Sequence, residues 1–428
     1  LKKRLLIISP YFPPINTADM QRVRMSLPYF NDFDWETEVV TVDENYVDFV
    51  KDPLLIESIP NHIIIHKVKA FSKKWTAKFG LGSIALRSLW FYRKKVDELL
   101  CDKKYDLIYF STTQFPVCIL GAYWKKKFNV PYVIDMQDPW YSDFYQDKPK
   151  AQRPKKYWFS YRLNKYLEPI AMKSVAALIS VSDGYIKVLE ERYPHIKSVP
   201  SKVITFGAFD LDFKIAANND KNLELAYTQE TGKINLVYIG RGGYDMQQAI
   251  KILFEGFKCG IQQESHLFNQ IHFHFIGTSY APNGKGVATL QPIAESLGIG
   301  HYVTEYTDRI GFYHSIKGLL KADGLIIIGS SSPTYTASKL YPYILAKKPL
   351  LGIFHPLSSA GDILKECNAG HLITLDQNSS QVFAILKAYL QNVIQKETPL
   401  TNWQAFEPYT ASFLTKKQVD IFNAVVSR

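Results

Sequence analysis

Cysteine is scarce in this chain: four in 428 residues, at 101, 118, 259 and 367. They are far apart, so neither a CxxC metal site nor a disulfide framework is indicated. Long apolar runs are missing too, and none reaches the roughly 18 residues that a bilayer-spanning helix needs. LLIIS at 5–9 is short and runs straight into PYFPP at 10–14. No leader is therefore expected, and the cytoplasm is the expected compartment. No zinc finger, RNP pair or KH loop is present, so nucleic acid is not an expected partner. A GxSxG elbow is also absent. His272 and His274 share one face of an apolar run, but no Cys or acidic cluster stands nearby, so no metal is expected. Carboxylates are outnumbered, 40 against 51 Lys and Arg, and the net charge of +11 calls for an acidic partner: nucleic acid, anionic lipid or a phosphorylated small molecule.

What the chain does have is short, continuous apolar runs separated by mixed segments. The runs at 4–9, 37–42, 62–67, 106–110, 131–135, 177–181 and 202–205 read as strands. So do those at 235–239, 272–276, 301–305, 324–328, 350–354 and 371–375. Apolar residues in succession, not alternation, mark parallel strands covered on both faces. The segments 246–257 and 312–320 have helical length and spacing. The length suits two domains. We expect an α/β chain with one Rossmann-like domain at 1–205, a second at 206–400, and a closing segment at 401–428 that ends in a helix and can return to the first domain. Ligands of open parallel sheets bind at the C-terminal strand ends, so a cleft where two such edges face each other is the expected site.

Four loops carry candidate chemistry. Gly240-Arg241-Gly242-Gly243 follows a strand and precedes a helix, where glycines permit close backbone approach and helix N–H groups and Arg241 can meet a phosphate. A plain flexible βα turn would look the same, and no GK[ST] follows. The loop after 324–328 is small and polar and ends in Ser338 and Lys339. Pro342 sits one position too deep for a helix capped by Ser338, so a later start is expected, with Lys339 at its lip. A solvated loop with a surface lysine is the competing reading. The long loop 9–24 carries Asn16, Thr17, Asp19, Arg22 and Arg24, and can cover a donor or meet an acceptor. DMQDPW at 135–140 ends a central strand. There Asp138 is the better catalytic or positioning candidate, Asp135 is as readily a cap, and Trp140 can stack on a sugar or fill the wall. Basic segments with interspersed aromatics at 67–79 and 148–159 suit an anionic membrane surface, or are solvated helix faces with buried rings.

Taken together, PYFPP, DMQDPW, YIGRGG, SKLYPYILAKKPLL and FLTKKQVDIF, in that order, resemble the GT-B glycosyltransferases, and within them the family 4 type of retaining, nucleotide-sugar-dependent enzymes of bacterial polysaccharide assembly. The resemblance implies a donor site in the second domain. Arg241 and Lys339 would steady the diphosphate, Gly240, Gly242 and Gly243 the turn beside it, and Ser338, Leu340 and Tyr343 the rest of the donor. Asn16, Thr17, Asp19, Arg22 and Trp140 would lie on the acceptor or donor-covering side, and Asp138 at the reacting sugar. It implies no cofactor and no metal, with a nucleotide-diphosphate sugar as substrate and a saccharide or lipid-linked saccharide as acceptor. The chain departs from the pattern twice. Two glutamates are replaced by Thr334 and Pro342, and the lysine that follows the phosphate-binding arginine is missing. A nucleotide-sugar epimerase or phosphorylase and a non-catalytic nucleotide-sugar-binding protein are the alternatives.

Overall fold

The computed structural model describes residues 2–143, 146, 149, 153, 157–281, 284–333 and 338–427. Thr334 and most of the basic segment 148–159 lie outside them. The chain divides into two compact units, Leu1–Gly207 with Ala411–Arg428, and Ala208–Thr410.

Among the described residues the first unit holds a seven-stranded sheet in the order β3-β2-β1-β4-β5-β6-β7. Its strands are β1 (Lys3–Ile8), β2 (Trp35–Val42), β3 (Ile64–Val68), β4 (Leu107–Ser111), β5 (Tyr132–Met136), β6 (Ala177–Ser180) and β7 (Ser201–Val203). All neighbours pair in parallel, with Leu5 opposite Thr37 on one side and Leu107 on the other. Alternate residues of β1 feed two cores: Leu6 and Ile8 enter one apolar cluster, Leu5 and Ile7 another. This is why the run LLII carries no polar break: both faces of the sheet are covered. The helix Ala411–Val426 closes the second of these clusters, where the buried Phe422 ring meets Phe30, Trp35 and Tyr109 at centroid distances of 6.1, 5.7 and 5.0 Å.

The second unit has a six-stranded parallel sheet, again among the described residues, in the order β10-β9-β8-β11-β12-β13. These strands are β8 (Ile234–Ile239), β9 (Ile271–Ile276), β10 (Val303–Tyr306), β11 (Gly324–Ile328), β12 (Leu350–Phe354) and β13 (His371–Thr374). Ile326 and Ile328 point into one cluster, Leu325 and Ile327 into the other. The unit begins and ends side by side, since Ala208 bridges Thr410 and its N–H donates to the Tyr409 carbonyl at 2.8 Å. Residues 401–410 therefore belong with the second unit, and the return to the first begins at Ala411.

In each sheet the direction of strand addition reverses once, between β1 and β4 and between β8 and β11. The loops leaving those strands flank the crevice that such a reversal opens. They are residues 9–20 and 112–114 in the first unit, and 240–243 and 329–333 in the second.

Candidate functional site

The second unit gathers cations at its switch point. Gly240 leaves β8 with its N–H bonded to the Ile276 carbonyl at 2.9 Å. A Cβ added there would lie 2.5 Å from Tyr238 Oη and 3.0 Å from Lys339 Nζ, so the lysine ammonium rests directly on the glycine backbone. The short helix Leu340–Leu345 begins after Lys339, which occupies the N-cap position, with Pro342 inside its first turn. Lys339 as a residue is exposed, but its ammonium is tucked into this corner. Loss of hydration there, then the like charges of Arg309 and Arg241, pull its pKa down to about 8. Ser338 lies beside it in an exposed turn.

Arg241 is held by Asp245 through two bonds, Nη1 to Oδ1 at 2.7 Å and Nη2 to Oδ2 at 2.6 Å. The arginine keeps Asp245 below the usual carboxylate range, with help from Ser330 on β11's loop. The Asp245 carbonyl also accepts the Ser331 N–H at 2.8 Å, so the two loops of the crevice are tied together. The pair is close to neutral as a unit, which leaves Lys339 and Arg309 to supply net positive charge. Arg309 follows β10, and its guanidinium stacks on Tyr280 at 5.1 Å. No family pattern pointed to it in the sequence: it is one arginine in TDRIG, and the strand order sets β10's loop two strands from β8's, with β9 between them.

Glu305 is a second residue that sequence reading passed over. Its carboxylate accepts the Thr278 hydroxyl at 2.6 Å and the N–H groups of Thr289, Leu290 and Gln291 at 3.1, 2.8 and 2.8 Å. It thereby pins both ends of the loop that carries Tyr280. Gly242 adjoins that loop, its carbonyl accepting from Thr289 Oγ1 at 2.6 Å and its N–H donating to the Thr278 carbonyl at 2.8 Å. Gly243 lies against the Arg241–Asp245 pair, where a Cβ would come within 2.4 Å of Arg241 Nη1.

Leu340 and Tyr343 are placed differently from the loop residues. Both are buried in the apolar cluster that contains Ile327 and Ile344. The Tyr343 hydroxyl donates to the Ile239 carbonyl at 3.2 Å and accepts the Ile239 N–H at 2.7 Å. It fixes the end of β8 and acts on the Gly240 loop through the backbone. His272 and His274 also have structural partners, Thr304 Oγ1 and Asn235 Oδ1, each at 2.8 Å. Burial lowers His274 to about 4, so it stays neutral near pH 7.

The first unit's switch point is built on a buried ion pair. Arg22 Nε meets Asp135 Oδ2 at 2.6 Å, and its other nitrogens donate to the carbonyls of Ile204 and Thr205 at 2.6 and 3.1 Å. Ser111 and Gln137 donate to the same Asp135 oxygen at 2.8 and 2.9 Å. These bonds knit β1's loop, β4, β5 and the segment after β7 into one polar core, as a buried charge requires. Arg24 is also buried, bonded to Gln21 and Ser58. Asp19 crosses to β4's loop and accepts from the Thr112 and Thr113 hydroxyls and the Thr113 N–H at 3.1, 3.2 and 3.2 Å. Asn16 is half-buried and its N–H donates to the Val50 carbonyl at 2.9 Å, while the Thr17 hydroxyl is buried with no hydrogen-bond partner among the described residues.

Asp138 is the exposed carboxylate of this edge. Its loop is partly dehydrated, and that effect first, with the nearby Asp19 charge second, pushes its pKa up. Trp140 lies in the wall, stacked on Phe115 at 5.5 Å with its indole N–H donating to Asn164 at 3.2 Å.

No family model matches the sequence, and no curated protein matches it. Solved structures do. Sucrose-phosphate synthase from Thermosynechococcus elongatus aligns with a TM-score of 0.56 at 12% identity over 100% of both chains. Anabaena HepE in complex with UDP and glucose aligns with a TM-score of 0.57 at 14% identity, over 99% of this chain and 100% of that one. A UDP-forming trehalose-phosphate synthase from Burkholderia xenovorans aligns with a TM-score of 0.58 at 11% identity over 100% of both. With two Rossmann-like units of parallel strands and these neighbours, the chain has the GT-B fold of glycosyltransferases.

Proposed function

We propose that the protein is a glycosyltransferase that moves a sugar from a nucleotide-diphosphate donor to a hydroxyl of a saccharide or lipid-linked saccharide, in the assembly of a bacterial surface polysaccharide or lipopolysaccharide. The observation that carries this reading is Lys339 set against the bare backbone of Gly240, with the charges of Arg309 and Arg241 near the lysine, on a GT-B fold. A backbone without a Cβ beside clustered cations suits a diphosphate, which needs close approach and charge together.

In the reaction the bond from the anomeric carbon to the diphosphate oxygen breaks and its electron pair stays on the diphosphate. The acceptor oxygen bonds to the anomeric carbon and gives up its proton. Charge grows on the leaving diphosphate, so Lys339 and Arg309 hold the transition state more tightly than the bound donor. Asp245 keeps the Arg241 fork in one orientation. Asp138, with its raised pKa, is the group we assign to orient the acceptor hydroxyl or receive its proton. Retention of anomeric configuration, the family 4 character and a place at the cytoplasmic face of an anionic membrane follow from the sequence resemblance and the basic-aromatic segments. The UDP, glucose and sugar phosphates in the neighbours' names are in keeping with this substrate class.

Thr334 and Pro342, which stand where the resembled enzymes carry glutamates, favour a second reading, a nucleotide-sugar-binding protein without turnover. Incubation with a panel of nucleotide sugars and acceptors, followed by mass spectrometry, separates the two. Glycoside that depends on acceptor, with free nucleotide diphosphate, is the expected product. Isomerised donor, or binding without turnover, would replace the proposal. Lys339→Ala and Arg241→Ala are expected to lower kcat/KM for the donor by about 10²- to 10³-fold. Wild-type donor kinetics in both would remove the diphosphate assignment.

A further inference from the structure

Between Glu57 and Asp97 the chain carries seven lysines, two arginines and no carboxylate. This stretch, in the first unit, also holds large rings that no core absorbs. A helical turn, Lys73–Thr76, runs into a tighter one, Ala77–Phe79, and is closed by the Leu81 N–H on the Thr76 carbonyl at 3.0 Å. At its tip Trp75 is 69% exposed and Phe79 74% exposed. The turn backs onto the helix Tyr157–Met172: a Cβ at Gly80 would lie 2.7 Å from the Phe159 ring, which adjoins exposed Trp158 at 5.9 Å. On the preceding side exposed Phe71 packs on Phe91, which packs on exposed Trp90, each at 4.9 Å. Each exposed tryptophan has a cation over its face: Lys78 on Trp75 at 5.0 Å, Lys94 on Trp90 at 5.8 Å and Arg162 on Trp158 at 5.8 Å.

We infer that this face docks the protein on an anionic lipid bilayer, with Trp75 and Phe79 entering the headgroup boundary and Lys74 and Lys78 meeting lipid phosphates. Rings backed by cations are the chemistry of that boundary, where the apolar body is dehydrated and the charge remains among phosphates. A single-stranded nucleic acid would also meet cations and rings, but it needs open ring faces for its bases, and here a cation lies over a face of each of the three tryptophans. A second copy docked through the same face would set lysine against lysine. The inference names the surface behind the membrane placement proposed above and does not depend on sugar transfer.

The test is co-sedimentation of the full chain with vesicles of phosphatidylcholine alone and of phosphatidylcholine with phosphatidylglycerol, at low and physiological salt. Binding to the anionic vesicles, weakened by salt, is expected, with tryptophan emission quenched by brominated acyl chains. Trp75→Ala with Phe79→Ala should lower partitioning by about tenfold or more, and Lys74→Glu with Lys78→Glu by a similar factor. These positions are exposed, so circular dichroism should be unchanged. Recovery in the supernatant with both vesicle types at low salt would overturn the inference. So would binding indifferent to both double variants, a stronger variant-sensitive complex with an oligonucleotide, or a dimer abolished by Trp75→Ala. Arg241→Ala should bind vesicles as the wild type does while losing donor use. Sugar transfer that persists without vesicle binding would reject the docking face alone.

Discussion

Lys339 is a side chain whose surroundings strongly shift its protonation. An ammonium pressed on Gly240 with two guanidinium groups nearby has lost water and gained repulsion, which brings its pKa down to about 8 from 10.5. On the proposed function, a diphosphate bound there would supply the missing negative charge and favour the protonated form. Binding of UDP, used as a probe, is therefore expected to take up a proton near and above pH 8, and affinity should fall as pH rises from 7.5 to 9.5. Calorimetry in buffers of different ionisation enthalpy reads both effects, and Lys339→Met should abolish the proton uptake. The sign for stability is opposite. With no ligand bound, the folded state disfavours the charged lysine, so stability rises as pH climbs from about 8 to 10.5. Lys339→Met is thus expected to leave the apo protein at pH 7 no less stable than the wild type, as a thermal melt would show. A substitution that preserves the fold and removes binding is the mark of a residue kept for function.

The loop that follows β8 shows how closely side chains can press on a strand end. Gly240 has no room for a side chain because Tyr238 Oη, which donates to the Arg241 carbonyl at 2.9 Å, and Lys339 Nζ already fill that side. Gly240→Ala should keep the circular dichroism of the wild type and weaken UDP binding at least about tenfold, since either the tyrosine bond or the lysine position must yield. Wild-type affinity in this variant would show that Lys339 does not need its place on the glycine. Much of this element was legible in the sequence. Each of the thirteen runs became a strand, and Gly324–Ile328 and Leu350–Phe354, buried along their whole length, were bounded as read, because strands buried on both faces have an unbroken apolar signature. Glycines after a strand likewise announce a close approach. What the sequence hides is which distant loops share a crevice. Arg309 and Glu305 act from β10's end, and Arg22 reaches Asp135, 113 residues away. Such pairings depend on strand order, which apolar periodicity does not encode. Leu340 and Tyr343 show the same limit on a helix, since a six-residue turn has too little pattern to tell its buried face from its exposed one.

For the whole molecule, the final helix decides which unit owns the chain end. Ala411–Val426 sends Leu414, Val419, Phe422 and Val425 into the core beneath β1 and β4. Phe422→Ala should destabilise the first unit by about 3–5 kcal/mol, the cost of a buried aromatic cavity. Hydrogen exchange would then show faster opening in β1 and β4, while β8 and β11 keep their protection. Uniform loss across both sheets would mean that the units unfold as one. The paired ends of the second unit have a different consequence. With Ala208 bridged to Thr410 and its N–H bonded to the Tyr409 carbonyl, residues 208–410 form an insertion whose ends already meet. Such a segment can be excised and closed on itself by a short linker, and its host rejoined from Gly207 to Ala411 with little rearrangement. Among the described residues neither sheet borrows a strand from the other unit, so removing the second unit as one piece would leave the register of the first sheet intact.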